Sequence, residues 1–160
     1  MAPPNEPLWL PAWRALLFAQ AAVVEPVERA LAEAELPPLS WYDVLTALDK
    51  APGRRLRMRE LTDAVTLSRT GLVRLVDRIE EEGLLRRQPV PNDRRGAYAV
   101  LTAKGSRMLR RMWRVYRGEL EKHFASHITD DDAEALLRSL GRVAALRKPR
   151  ANQIATAPGR

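Results

Sequence analysis

The chain has 160 residues, 46% of them hydrophobic and none cysteine, with a net charge of +7. Such a length buries one compact core, and the lack of cysteine excludes disulfide frameworks, thiolate metal sites, cysteine nucleophiles and any thiol redox switch. No apolar run approaches the ~20 residues of a membrane span, and "MAPPNEPLWLPAW" has neither the basic start nor the cleavage pattern of a secretion signal, so a soluble, cytoplasmic protein without membrane contact is expected.

The charge is unevenly spread. Glu6 to Glu35 carries two Arg against five Glu, whereas Arg54 to Arg111 carries fifteen Lys or Arg against seven Asp or Glu. A positive field focused on one part of a chain attracts polyanions, nucleic acid above all, with acidic proteins and membrane surfaces as alternatives.

Trp9, Trp13, Leu16, Leu17, Val24, Val27 and Leu31 repeat at helical spacing and predict a long first helix, with Pro11 in its first turn and Pro26 as a site of kinking. The "LPPLS" stretch ends it. Ser40 followed by Asp43 predicts a capping-box variant opening a second helix, whose buried stripe is Trp41, Val44, Leu45 and Leu48, and "APG" closes that helix. Met58, Leu61, Ala64 and Val65 outline a short third helix. Ser68 is placed to cap a fourth, with Leu67 and Leu72 at the spacing of a hydrophobic staple and Gly83 as a left-handed C-terminal cap. Helix, tight turn, helix is the outline of a helix-turn-helix, whose second helix enters the major groove of DNA.

In that fourth helix Leu72, Val73, Val76 and Ile79 are predicted to face the core, while Arg69, Thr70 and Arg74 lie toward the N-terminal end of the opposite face. Base contacts are commonly made there. Gly71, lacking a side chain, allows close approach of DNA or a neighbouring helix. Next come two short β-prone segments, "LLRRQPV" and "AYAVLT", around the polar turn "PNDRRG". This predicts a wing whose Arg94 and Arg95 enter the narrow minor groove, with Asp93 orienting a guanidinium by pairing with it.

The run "LSRTGLVRLVDRIEEEGLLRRQPVPNDRRGAYAVLTAKG" resembles the MarR regulators. The resemblance lies in S-R-T-G-L-x-R-L-V-D-R at the recognition helix, G-L-L-R-R at the first strand, the D-x-R of Asp93 and Arg95, and L-T-x-x-G before the next helix. It implies a homodimeric winged helix-turn-helix transcription regulator, usually a repressor, often released from DNA by a small aromatic ligand. The order of elements fits from Leu8 to Leu146: a winged core over about 40–102, dimerisation helices over about 8–36 and 103–146, and a flexible tail over 147–160. The fold class expected is mainly α with a small β-wing.

Leu109, Met112, Trp113, Tyr116, Leu120 and Phe124 predict a fifth helix. Thr129 with Asp132 caps a sixth bearing Leu136, Leu137, Leu140 and Val143. Together with the first helix these offer more apolar surface than one small lobe needs, which points to a partner chain. The family's ligand position, between dimerisation helices and winged lobe, implies Trp13, Gln20, Trp41, Tyr42, Trp113 or Tyr116 as lining residues.

Catalysis finds no support, since a phosphate-binding loop, a dinucleotide fingerprint and a nucleophile elbow are all missing. No cofactor is expected. His123 and His127 stand four apart as on one helix, a zinc-compatible spacing that needs a third ligand from elsewhere, so a metal-responsive regulator is an alternative. Another is a winged-helix module for protein interaction that does not bind DNA specifically.

Overall fold

The computed structural model describes residues 6–65 and 69–146, apart from the side chains of Arg69, Arg94 and Arg95. The helices are α1 (Trp9–Glu33), α2 (Leu39–Lys50), α3 (Met58–Ala64), α4 (Arg69–Glu81), α5 (Ala103–His123) and α6 (Asp130–Ala145). The strands are β1 (Arg55–Arg57), β2 (Leu85–Val90) and β3 (Asp93–Leu101), which form one antiparallel sheet in the order β1-β3-β2. This is the expected mainly α fold with a β-wing. The predicted tail over 147–160 and the Leu67–Leu72 staple lie outside the described residues.

The core sits where α2, α3 and α4 meet the sheet, with Leu45, Leu48, Leu61, Leu72, Ile79, Leu84 and Leu85 buried together. Burial of each such side chain contributes about 2 kcal/mol. From α1 only Val27 and Leu31, near its C-terminus, are fully buried. α1 packs along α5, which adds Met112 to the same core, and the helix runs on through Pro26.

Three local expectations need correction. α2 starts at Leu39, not after Ser40, because Pro38 has the fixed backbone angle of a cap residue and its carbonyl accepts the first bond, from the Trp41 N–H at 2.9 Å. The orphan N–H of Leu39 donates instead to the Glu28 carboxylate of α1, at 3.1 and 3.2 Å. In α4 the buried residue is Leu75 and not Val73, which is 45% exposed. Ala64, in the last turn of α3, is exposed as well.

Other expectations hold. Gly83 adopts φ +68° after α4, with the Gly83 N–H donating to the Glu80 carbonyl at 2.8 Å and the Leu84 N–H to that of Ile79 at 3.1 Å. These paired bonds close the helix in a left-handed turn that favours glycine. Thr129 and Asp132 form the reciprocal cap of α6: the Thr129 N–H donates to the Asp132 carboxylate at 3.0 Å, and the Asp132 N–H to the Thr129 hydroxyl at 3.2 Å. The Thr129 N–H and the Thr129 hydroxyl, which itself donates to Asp132 Oδ2 at 2.7 Å, hold the Asp132 carboxyl below the usual carboxylate range.

Candidate nucleic-acid interface

The outward face of α4 carries Thr70 and Arg74, one helical turn apart and both exposed. Val73 lies beside them on that face. Behind it Leu72, Leu75, Val76 and Ile79 anchor the helix to the core, so the face is held by four buried side chains. The backbone of Arg69 is the first residue of α4, while its side chain and the whole of Ser68 lie outside the described residues.

The wing is shorter at its turn than predicted. Val90 pairs with Asp93, so the turn is Pro91-Asn92 with Asn92 at φ +62°, and both arginines belong to β3. Because Pro89 pairs with Ala97, the register shifts, and Arg94, Arg95 and Gly96 form a bulge on β3. The backbone of that bulge is described, but the side chains of Arg94 and Arg95 are not. Asp93 approaches Arg57 of β1, Nη1 to Oδ2 3.6 Å. A Cβ on Gly96 would overlap the Asp93 carboxylate, so glycine makes room for that group.

Arg87, the second arginine of "GLLRR", faces α4. Its Nη2 donates to Asp77 Oδ1 at 2.5 Å, its Nη1 to Glu80, and its backbone N–H to Glu80 Oε1 at 2.6 Å. Partial burial favours the neutral form, but the bonds to Asp77 and Glu80 outweigh it and raise the guanidinium pKa. Arg87 therefore ties the recognition helix to the wing. The L-T-x-x-G motif has a similar role at the far end of the sheet. Thr102 Oγ1 accepts the Gly105 N–H at 3.0 Å and donates to the Gly83 carbonyl at 2.7 Å, capping α5 against the end of α4.

Strand β1 was missed by the sequence reading and supplies two further arginines. Arg55 and Arg57 both lie against the Tyr98 ring, at 4.8 and 5.7 Å from its centroid. A three-residue strand has too little pattern to be seen locally; only its pairing with β3 reveals it.

Of the expected ligand residues, the structure brings together Tyr42, Trp113 and Tyr116. Tyr42 stacks on Trp113 at 6.4 Å and meets Tyr116 at 4.9 Å. Burial, with Tyr42 and Asp43 adding to it, pushes the Tyr116 hydroxyl above its ordinary value. A cavity of about 220 Å³ opens beside them, lined by Tyr42, Thr46, Asp49, Lys50, Leu109, Arg110 and Trp113. Lys50 and Arg110 carried no signal in the sequence beyond their charge. Trp41 is half-buried against the core, whereas Trp13 and Gln20 are exposed on α1.

The histidine pair is also corrected. α5 ends at His123, and His127 closes a separate 3-10 turn over Ala125–His127, so the two do not share one helix face. His123 Nε2 lies 3.1 Å from Glu119 Oε2. Among the described residues no three His, Asp or Glu converge as a metal site.

Residues 36–96 match the model of the MarR family. Over 77 residues, 47% of this chain and 56% of the other, the sequence is 34% identical to the transcriptional regulator HosA of Escherichia coli O111:H-. The chain thus spans little more than half the length of that curated relative. The crystal structure of AbsC, a MarR family transcriptional regulator from Streptomyces coelicolor, superposes with a TM-score of 0.79 at 27% identity, over 91% of this chain and 97% of that one. The chain belongs to the MarR family.

A second MarR regulator from Streptomyces coelicolor, Sco3205, was solved in complex with DNA; it has a TM-score of 0.79 and 29% identity, covering 88% of this chain and 92% of that one. The MarR family is one of transcription factors rather than enzymes, in keeping with the absence of catalytic motifs in the sequence. Among the described residues no helix is long and apolar enough to cross a membrane.

Proposed function

We propose that this MarR-family chain is a cytoplasmic, homodimeric repressor that binds a pseudo-palindromic operator in duplex DNA and is released from it by a small aromatic anion. The observation that carries the DNA-binding reading is the exposed Thr70–Arg74 face of α4, braced by four buried apolar residues and tied through Arg87 to a basic wing. A helix held that rigidly can present side chains to base edges in the major groove, with Ser68, Arg69, Thr70 and Arg74 at its leading end. Arg94 and Arg95 on the β3 bulge are the wing's contacts to the minor groove. The DNA complex of Sco3205 supports this reading by likeness of fold.

The dimer reading rests on apolar surface left uncovered within one chain. Leu8, Trp9, Trp13, Leu17 and Phe18 of the N-terminal region are exposed, as are Leu137, Val143 and Leu146 in and after α6, and α6 has no fully buried residue. A partner covering these faces would set two recognition helices about one helical turn of DNA apart, roughly 10 bp. The effector reading rests on the Tyr42–Trp113–Tyr116 cluster, where Lys50 and Arg110 at the cavity supply cations for an anionic group.

To test the whole, the full chain is mixed with sheared genomic fragments and the retained DNA is sequenced. A shared pseudo-palindrome among the fragments is expected, and retention without sequence bias would refute the reading. Phenolic and aromatic carboxylic acids are then screened for one that both quenches Trp fluorescence and releases the recovered site. Release by zinc alone would refute the effector assignment.

A further inference from the structure

Arg57 lies at the junction of the two elements assigned to DNA. Its backbone N–H donates to the Glu60 carboxylate at 2.8 Å and so opens α3, the bracing helix. Its side chain lies over the Tyr98 ring of β3 and approaches Asp93, at the start of that strand beside the wing turn. Arg57 and Tyr98 are direct cross-strand partners, and Arg55 covers the same ring.

The bulge needs such support. The ladder between β2 and β3 breaks between Pro89 and Val90, and Pro89 has no N–H to offer a neighbouring strand. Side chains must therefore fix the posture of residues 93–96. Gly96 leaves the space in which the Asp93 carboxylate lies toward Arg57. Arg57 and Asp93 are each about a third to a half exposed, and an ion pair of that kind contributes little to global stability. Its effect is local.

We propose that Arg57 is a positioning residue that sets the pose of the wing relative to the helix-turn-helix by holding Asp93, and that it thereby tunes how strongly the wing reads flanking base pairs. The inference rests on the DNA-binding reading only for its consequence; the latch itself is a property of the free protein. Arg57 acts through Asp93 and the β3 bulge, not as a phosphate contact.

The experiment has two arms, run on the full chain and on Arg57→Gln, Asp93→Asn and the double variant. In the DNA-free protein, amide exchange of residues 91–97 should accelerate by about fivefold in each single variant and no further in the double, with α4 unchanged. Unaltered wing exchange overturns the latch even if no duplex is ever bound. In the second arm, duplexes selected by the parent from a random pool are remade with A·T or G·C flanks. Each single variant should lose the flank preference with an unchanged salt dependence, and the double should match the singles. A fall of about one in the salt slope for Arg57→Gln, with flank preference intact, would make Arg57 a phosphate contact and overturn the proposal. Additive losses in the double variant would overturn it too. If the parent binds no duplex while the exchange pattern holds, the DNA-binding reading fails and the latch stands.

Discussion

Glu35 follows α1 in a left-handed conformation, φ +53°, with the Leu36 N–H returning to the Leu31 carbonyl at 2.9 Å. The bond pattern is that of a helix end which glycine suits and glutamate does not, because its Cβ crowds the backbone. Glu35→Gly is expected to stabilise the protein by about 1 kcal/mol, read as a higher urea midpoint at unchanged slope. Asp43 illustrates the opposite kind of strain. Asp43 is open to solvent on one side, yet crowding of its carboxyl by the surrounding protein, with Glu28 adding repulsion, raises that carboxyl above the ordinary value. A raised acid binds more protons folded than unfolded, so stability is lost as pH rises from the unfolded value through the folded one. Asp43→Asn should therefore raise Tm at pH 7 and leave it nearly unchanged near pH 3. Equal gains at both pH values would show another cause.

Val73 is a further residue whose place the sequence misjudged, and under the proposed function its exposure between Thr70 and Arg74 puts it on the DNA-reading face. An apolar group on a reading face contacts the methyl of thymine. Replacing single thymines by uracil in a selected duplex should weaken the parent at one position by about 1 kcal/mol and Val73→Ala much less. Identical uracil sensitivity in both proteins would remove Val73 from the reading face.

At the scale of elements, close packing at α5 makes the sharpest prediction. A Cβ on Gly105 would overlap the Leu84 carbonyl, so Gly105→Ala must push α5 off the end of the sheet. The cost is expected to be about 2–3 kcal/mol in denaturant melts, as for other overpacked sites. Much of this level was legible in the sequence for a physical reason: Gly83, Thr129 with Asp132, and the hairpin are set by contacts within a few residues. What escaped depends on distant partners. Strand β1 exists because Leu56 pairs with Ala99, and α2 is capped by Glu28 from eleven residues upstream. The adjacent Ser40 offered a plausible local alternative that Pro38 overrides. The interface was legible in the same partial way. Thr70 and Arg74 stand on the exposed face where helical spacing puts them, whereas the Arg87 tie depends on how β2 packs against α4, and the approach of Arg57 to Asp93 on the pairing of β1 with β3.

For the whole molecule, the uncovered apolar faces of α1 and α6 are the counterpart of the basic lobe. Leu137 is 76% exposed within the single chain, so Leu137→Asp costs the isolated fold little. In light scattering it should shift a dimer toward monomer at micromolar concentration, with helical content retained by circular dichroism. A variant that stays fully dimeric would place the partner contact elsewhere. In the proposed dimer, two lobes joined in this way would give selectivity that neither has alone, because both half-sites must be matched at once.

The central claim is that α4 and the wing together read duplex sequence. It is tested most directly by anisotropy titrations at physiological salt, comparing a duplex selected by the full chain with the same bases scrambled. Binding to the selected duplex is expected to be at least about a thousandfold tighter. Arg74→Ala should lose about 1–3 kcal/mol of that difference. Equal affinity for the two duplexes, unaffected by Arg74→Ala, would contradict it.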